Sequence, residues 1–194
     1  IYTPAINSPG VYQYTVQGQG PCANAVALVE VTEPVAPNAG CDAAVSLCSS
    51  QVPVLMRSLL GCSPQAGGSW IGPNGPHGNF FDPAADEPGV YTYVVTGVTP
   101  CANDSARLTL SVTLAINAGA NATVNACISQ TAVDLFNALG PNASQGGTWT
   151  DQNSSGALTG NVFDPSQAGN GTWPFVYSFP ANGPCPAASA QVIV

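Results

Sequence analysis

Apolar and polar residues alternate with a period of two over residues 44–48, 90–95 and 106–112. This spacing predicts strands with one face on a core and the other in solvent. Two matched segments break the period. Residues 54–61 and 133–140 place their apolar side chains (Val54, Leu55, Leu59 and Leu60; Val133, Leu135, Phe136 and Leu139) at helical intervals and end at Gly61 and Gly140, which predicts one or two helical turns in each. Clusters of Gly, Pro and Asn punctuate the rest. The pattern predicts an all-β chain with short strands and an occasional short helix.

The pattern also recurs. Asn38-Ala39-Gly40 returns as Asn117-Ala118-Gly119, Gly67-Gly68-Ser69-Trp70 as Gly146-Gly147-Thr148-Trp149, and Phe81-Asp82-Pro83 as Phe163-Asp164-Pro165. The later half of the unit occurs three times, around Tyr12 and Cys22, Tyr91 and Cys101, and Tyr177 and Cys185. The expected organisation is the rear part of a repeat over 1–34 and complete repeats over 35–113 and 114–194, joined by very short linkers. A unit of about 80 residues built of several short strands predicts tandem immunoglobulin-like β-sandwiches with one short helix per repeat. It is too long for a solenoid, whose repeats run about 20–45 residues. The last unit carries five more residues between Trp149 and Tyr177 than its sister between Trp70 and Tyr93. Its Pro174 predicts an edge strand or a bulge.

Composition narrows the surroundings. Only 6 % of residues are charged, against about 25 % in ordinary soluble domains, and Arg57 and Arg107 are the sole Lys or Arg residues. A net charge of -8 argues against nucleic acid and anionic membranes, since phosphate binding draws on Lys and Arg. No apolar run approaches the roughly 20 residues that span a bilayer, and Ile1-Tyr2-Thr3-Pro4 lacks the basic and apolar regions of a signal peptide. The chain reads as mature and soluble, without membrane insertion.

Seven cysteines, one His and no C-x-x-C pair predict a disulfide framework rather than a zinc site, and hence an oxidising, extracellular setting. Cys48 and Cys127 occupy one repeat position and Cys101 and Cys185 another, so the expected bridges lie within units, Cys48–Cys101 and Cys127–Cys185. Each closes a loop of about 50 residues and contributes roughly 4 kcal/mol in the chain-entropy model. Cys41 and Cys62 are matched by Ala120 and Pro141, which predicts a further Cys41–Cys62 bridge. Cys22 is left over, its partner falling ahead of residue 1, so the chain is expected to be a piece of a longer polypeptide. The alternative for Cys22 is a bond to another copy, or a front half donated by a neighbour in a fibre.

The order Asn-Ala-Gly, strand, Cys, short helix, Gly-Gly-Ser/Thr-Trp, Phe-Asp-Pro, Gly-Val-Tyr-x-Tyr, Pro-Cys, final strand resembles the immunoglobulin-like repeats of very large Bacteroidota surface proteins, including gliding-motility adhesins. The resemblance covers essentially the whole chain and rests on packing and turn residues. It implies type IX secretion, an extracellular or cell-surface location, and a role in adhesion, as a stalk or in a filament.

Candidate chemistry is sparse. Trp70 and Trp149 follow a Gly pair at a strand start and are expected in the core. Trp173, unique to the last unit, is the candidate glycan contact, and a sugar platform would also need Tyr91 and Tyr93 exposed. Asp82, Asp86 and Glu87 in one turn suggest at most a partial calcium site, which needs six to eight oxygens, and in the matching turn of the last unit Asp164 stands alone. Asp82 and Asp164 are expected instead to cap Asp-Pro turns. His77 sits alone in a Gly-Pro-rich stretch read as a flexible turn, leaving no base beside a nucleophile and no recurring carboxylate pair. The chain is therefore expected to be no enzyme and to need no cofactor or metal. Asp104-Ser105-Ala106 resembles a Bacteroidota O-glycosylation site, with Ser105 as acceptor. Asn103, Asn121, Asn142, Asn153 and Asn170 begin N-x-Ser/Thr sequons, each expected to be a solvated turn.

These readings converge on a disulfide-stapled spacer whose partners are neighbouring repeats, surface glycans or other copies in a filament. The alternative is a carbohydrate-binding module of a secreted glycan-degrading enzyme.

Overall fold

The computed structural model describes all residues, Ile1–Val194. The chain is all-β. Strands β1 (Gly10–Val16) and β2 (Ala25–Val31) form a hairpin. Next come β3 (Ala43–Cys48), β4 (Val54–Leu55), a single 3-10 turn over Met56–Leu59, β5 (Ser69–Gly72), β6 (Gly75–His77), β7 (Phe80–Phe81), β8 (Gly89–Val95) and β9 (Asp104–Thr113). The third stretch holds β10 (Ala122–Thr123), β11 (Val133–Asp134), α1 (Leu135–Ala138), β12 (Thr148–Asp151), β13 (Leu158–Thr159), β14 (Val162–Phe163), α2 (Pro165–Ala168), β15 (Pro174–Phe179) and β16 (Ala188–Ile193). The two segments predicted to be helical thus shorten to one turn each, because their first residues pair as β4 with β7 and β11 with β14.

Two separate cores organise these strands. The front one lies beneath the sheet β3-β9-β8-β5-β6 and gathers Trp70, Phe81, Tyr91, Tyr93 and Leu108. The rear one lies beneath β10-β16-β15-β12 and gathers Leu135, Phe163, Phe175, Tyr177 and Val192. Alternate residues of β8 and β9 are buried, the period read from the sequence.

The recurring motifs are the joints of both bodies. Asn38 Oδ1 accepts from the Gly40 amide and Asn117 Oδ1 from that of Gly119, both at 2.9 Å. In Gly67-Gly68 and Gly146-Gly147 the first glycine has φ of 90° or 94°, where a side chain is strained. The second lies against a tyrosine: a Cβ on Gly68 would come within 2.6 Å of the Tyr93 ring, and one on Gly147 within 2.7 Å of the Tyr177 ring. Each tyrosine hydroxyl accepts from that second glycine's amide (2.9 and 2.8 Å) and donates to the Gln65 or Ser144 carbonyl at 2.8 Å. Its ring packs on the motif's tryptophan with centroids 4.8 and 4.9 Å apart. Tyr177→Phe would leave a half-buried amide and carbonyl without their shared partner, so it should cost about 1 kcal/mol. Chemical denaturation followed through tryptophan fluorescence checks this.

Residues 1–34 repeat the local geometry of 80–113 without a core beneath them. The hairpin pairs Gly10 with Val31 and Val16 with Ala25, the register of Gly89 with Leu110 and Val95 with Asp104. Tyr2 meets Tyr12 edge-on at 5.5 Å and 83°, as Phe81 meets Tyr91 at 5.5 Å and 81°. Asn7 accepts from the Thr3 amide at 2.8 Å, as Asp86 does from that of Asp82 at 2.7 Å. Yet Tyr12, Tyr14, Val16 and Val29 are exposed where Tyr91, Tyr93, Val95 and Leu108 are buried.

One expectation about a strand is overturned. β15, which begins at Pro174, is an interior strand flanked by β16 and β12. Proline is tolerated because it is the strand's first residue, and its carbonyl still accepts from the Gln152 amide at 3.1 Å.

Candidate functional site

Apart from Cys41 and Cys62, which bond to each other, the cysteines occupy two kinds of local structure. Cys48 ends β3 and Cys127 follows β10 by a few residues, and each opens a turn closed by a glutamine. The Cys48 amide donates to Gln51 Oε1 at 2.9 Å and that of Cys127 to Gln130 Oε1 at 2.7 Å, and each cysteine carbonyl accepts from that glutamine's amide. Cys22, Cys101 and Cys185 lie in loops, each donating its amide to the carbonyl three residues earlier (Gln19, Val98, Asn182). Asn24 and Asn103 brace the first two loops by accepting from Gly18 and Gly97, both at 3.0 Å.

The bonds between the two kinds correct the expected pairing. Cys41–Cys62 is present, with Cα atoms 5.3 Å apart. Cys48, however, is bonded to Cys185, with Cα atoms 4.9 Å apart across 137 residues. Neither Cys48–Cys101 nor Cys127–Cys185 forms, and Cys22, Cys101 and Cys127 are free thiols.

The reason is strand direction. β3 runs parallel to β9, so Cys48 lies beside Thr113 at the far end of β9, whereas Cys101 precedes its near end at Asp104. A ten-residue strand separates those ends by about 30 Å, far beyond the Cα spacing of a disulfide. At the Thr113 end the chain passes into the rear body. Ser49 donates its amide to the Thr113 carbonyl at 2.9 Å, and Cys185 Sγ lies 3.3 Å from that oxygen. The bridge therefore ties the front body to the rear one. No protein-family model and no curated protein matches this chain.

The other candidate residues fall into the framework. Tyr91 and Tyr93 are buried, and Trp173 is half-buried, packed on the rear core with its indole N–H donating to the Gly169 carbonyl at 3.3 Å. Neither tyrosine offers a free ring face. Trp70 lies in the front core and its Nε1 has no partner, while Trp149 is half-buried beside an open cleft of about 400 Å³ that also exposes Phe136, Gln145 and Asn161.

Asp82 accepts from the Ala84 amide at 2.9 Å and Asp164 from that of Ser166 at 2.9 Å, so both cap their turns. The hydroxyl of Ser166, then the amide of Gln167, hold the Asp164 carboxyl below its usual range. Asp86 and Glu87 turn to separate partners: the Asp82 amide at 2.7 Å and His77 Nε2 at 3.4 Å for Asp86, and Asn74 Nδ2 at 2.7 Å for Glu87. Burial first, then the charges of Asp86 and Glu87, push the Tyr91 hydroxyl up. His77 belongs to β6 rather than to a loose turn, paired with Trp70 and edge-on to Tyr91 at 5.0 Å.

Ser105 is exposed on β9, opposite Val94. Its neighbour Asp104 accepts from the amides of Ser105 and Ala39 at 2.9 and 2.7 Å. Among the sequon residues, Asn103 and Asn121 spend their side-chain oxygens on the amides of Gly97 and Gln191, and Asn153 donates to the Thr172 carbonyl.

Proposed function

We propose that this chain is a structural and adhesive stretch of a large secreted cell-surface protein or extracellular filament, in which tandem immunoglobulin-like β-sandwiches act as a disulfide-stapled spacer. The observation that carries this reading is the Cys48–Cys185 bridge, which joins one hydrophobic body to the next instead of closing a single body. A covalent tie between neighbours limits hinge motion and transmits load along the array even when a unit opens. Tyr91 and Tyr93, two of the three rings a sugar platform would need, are buried in the front core, which favours the spacer over a carbohydrate-binding module. Ser105, exposed beside its aspartate, is the proposed point of O-glycosylation.

Electron microscopy of the native surface material tests this reading. Slender projections built of equal units are expected. A compact particle attached to a glycan-degrading enzyme, together with selective binding on a glycan array, would overturn it.

A further inference from the structure

The edge of β9 is filled by β3, which runs parallel to it from Ala43 beside Leu108 to Cys48 beside Thr113. At that corner Cys48 meets a loop cysteine, Cys185, whose Sγ lies 3.3 Å from the Thr113 oxygen. The same corner exists one unit earlier, where β2 takes the place of β9, Pro34 that of Thr113, 79 residues back, and Cys101 that of Cys185, 84 residues back because the last unit is longer. Cys101 Sγ lies 3.6 Å from the Pro34 oxygen. There, however, β2 pairs with β1 alone and the Cys101 thiol is free. The face beside it is bare: Tyr14 is 68 % and Val29 57 % exposed, against 1 % for Tyr93 and 0 % for Leu108.

We infer that the β1–β2 hairpin is an acceptor for a parallel β-strand ending in cysteine, and that the thiol of this strand is joined to Cys101. Two independent features specify the occupant: an unpaired strand edge of known register, and a free thiol held at the point where the incoming strand must end. Its chemistry is that of β3, with small and apolar residues, no charge, and cysteine last. Adding a strand to an open edge draws affinity from main-chain hydrogen bonds and specificity from the alternating side chains. The inference rests on the spacer reading and deepens it: the loop cysteine of each unit takes the strand-end cysteine of the unit before it. Cys127, whose glutamine-closed turn matches that of Cys48, is then the donor for a unit that follows.

The test uses the whole chain with its two bridges intact and a synthetic peptide of residues 43–48. The peptide cysteine is activated as a mixed disulfide with thionitrobenzoate. The Cys101 thiolate attacks the peptide sulfur, a bond forms between the two, and the activating bond breaks with release of the aromatic thiolate. The oxidant is thus the mixed disulfide itself. A scrambled peptide that keeps cysteine last is the control. Docking of the strand raises the local concentration of its cysteine, so Cys101 should react at least about tenfold faster with the strand peptide than with the scrambled one. The more exposed Cys22 and Cys127 should react equally with both, and Cys101→Ser should abolish the preference. Equal rates at Cys101, or the same preference at Cys22 or Cys127, would overturn the inference. So would a disulfide dimer of the chain through Cys101 that outruns the peptide, since the occupant would then be a second copy. A map of Cys48–Cys185 in the same sample keeps the two failures apart, because that bond tests the junction and not the acceptor.

Discussion

Trypsin should cut the denatured, thiol-blocked protein into three pieces that do not separate until a reductant is added. The chain offers two cleavage sites, Arg57 and Arg107, giving 1–57, 58–107 and 108–194. Cys41–Cys62 links the first piece to the second, and Cys48–Cys185 links the first to the third. Bridges confined within units would leave 108–194 free before reduction, so mass spectrometry of the unreduced digest separates the two pairings without ambiguity. Cys48→Ser should release that same piece. The variant also loses a tie closed over 137 residues, which in the chain-entropy model is about 5 kcal/mol. The front and rear cores share no residue, so thermal unfolding of the variant should resolve into two transitions. An undivided transition at the wild-type temperature would contradict that coupling.

The second large effect is a contrast between neighbours. Phe81 is fully buried and meets Tyr91 edge-on at 5.5 Å, while Phe80, beside it in β7, is 58 % exposed. Phe81→Ala should lose about 3–5 kcal/mol, the transfer of a phenyl ring plus the cavity left behind. Phe80→Ala should stay within about 0.5 kcal/mol. The loss should fall on the front body alone. It is read through Trp70, which is buried in the front core with its ring 4.8 Å from Tyr93; Trp149 and Trp173 report the rear body. Similar losses for both variants would mean that the alternation in β7 is misassigned.

The repeated joints were legible because they are local. Gly-Gly before a tryptophan, Asn-Ala-Gly, and an aspartate before proline each specify their own turn, and the structure places each where the spacing put it. Less legible were the details set by neighbours. Pro174 heads an interior strand, not an edge, because its missing N–H falls at the strand's first residue. His77 is held in β6 by Trp70 and Tyr91. Trp173 turns inward because the longer segment before it brings the Gly169 carbonyl within reach.

The cysteines mark the same boundary most sharply. The sequence by itself determined that there are two positions per unit, one closing the first strand and one in the loop before the last, and that Cys41 and Cys62 belong together. It could not determine which loop cysteine meets which strand end, since pairing within a unit and pairing with the next unit obey the same period. Only the tertiary structure decided, through the parallel run of β3 along β9. That direction carries Cys48 away from Cys101 to the end of the unit, where Cys185 of the following body is waiting.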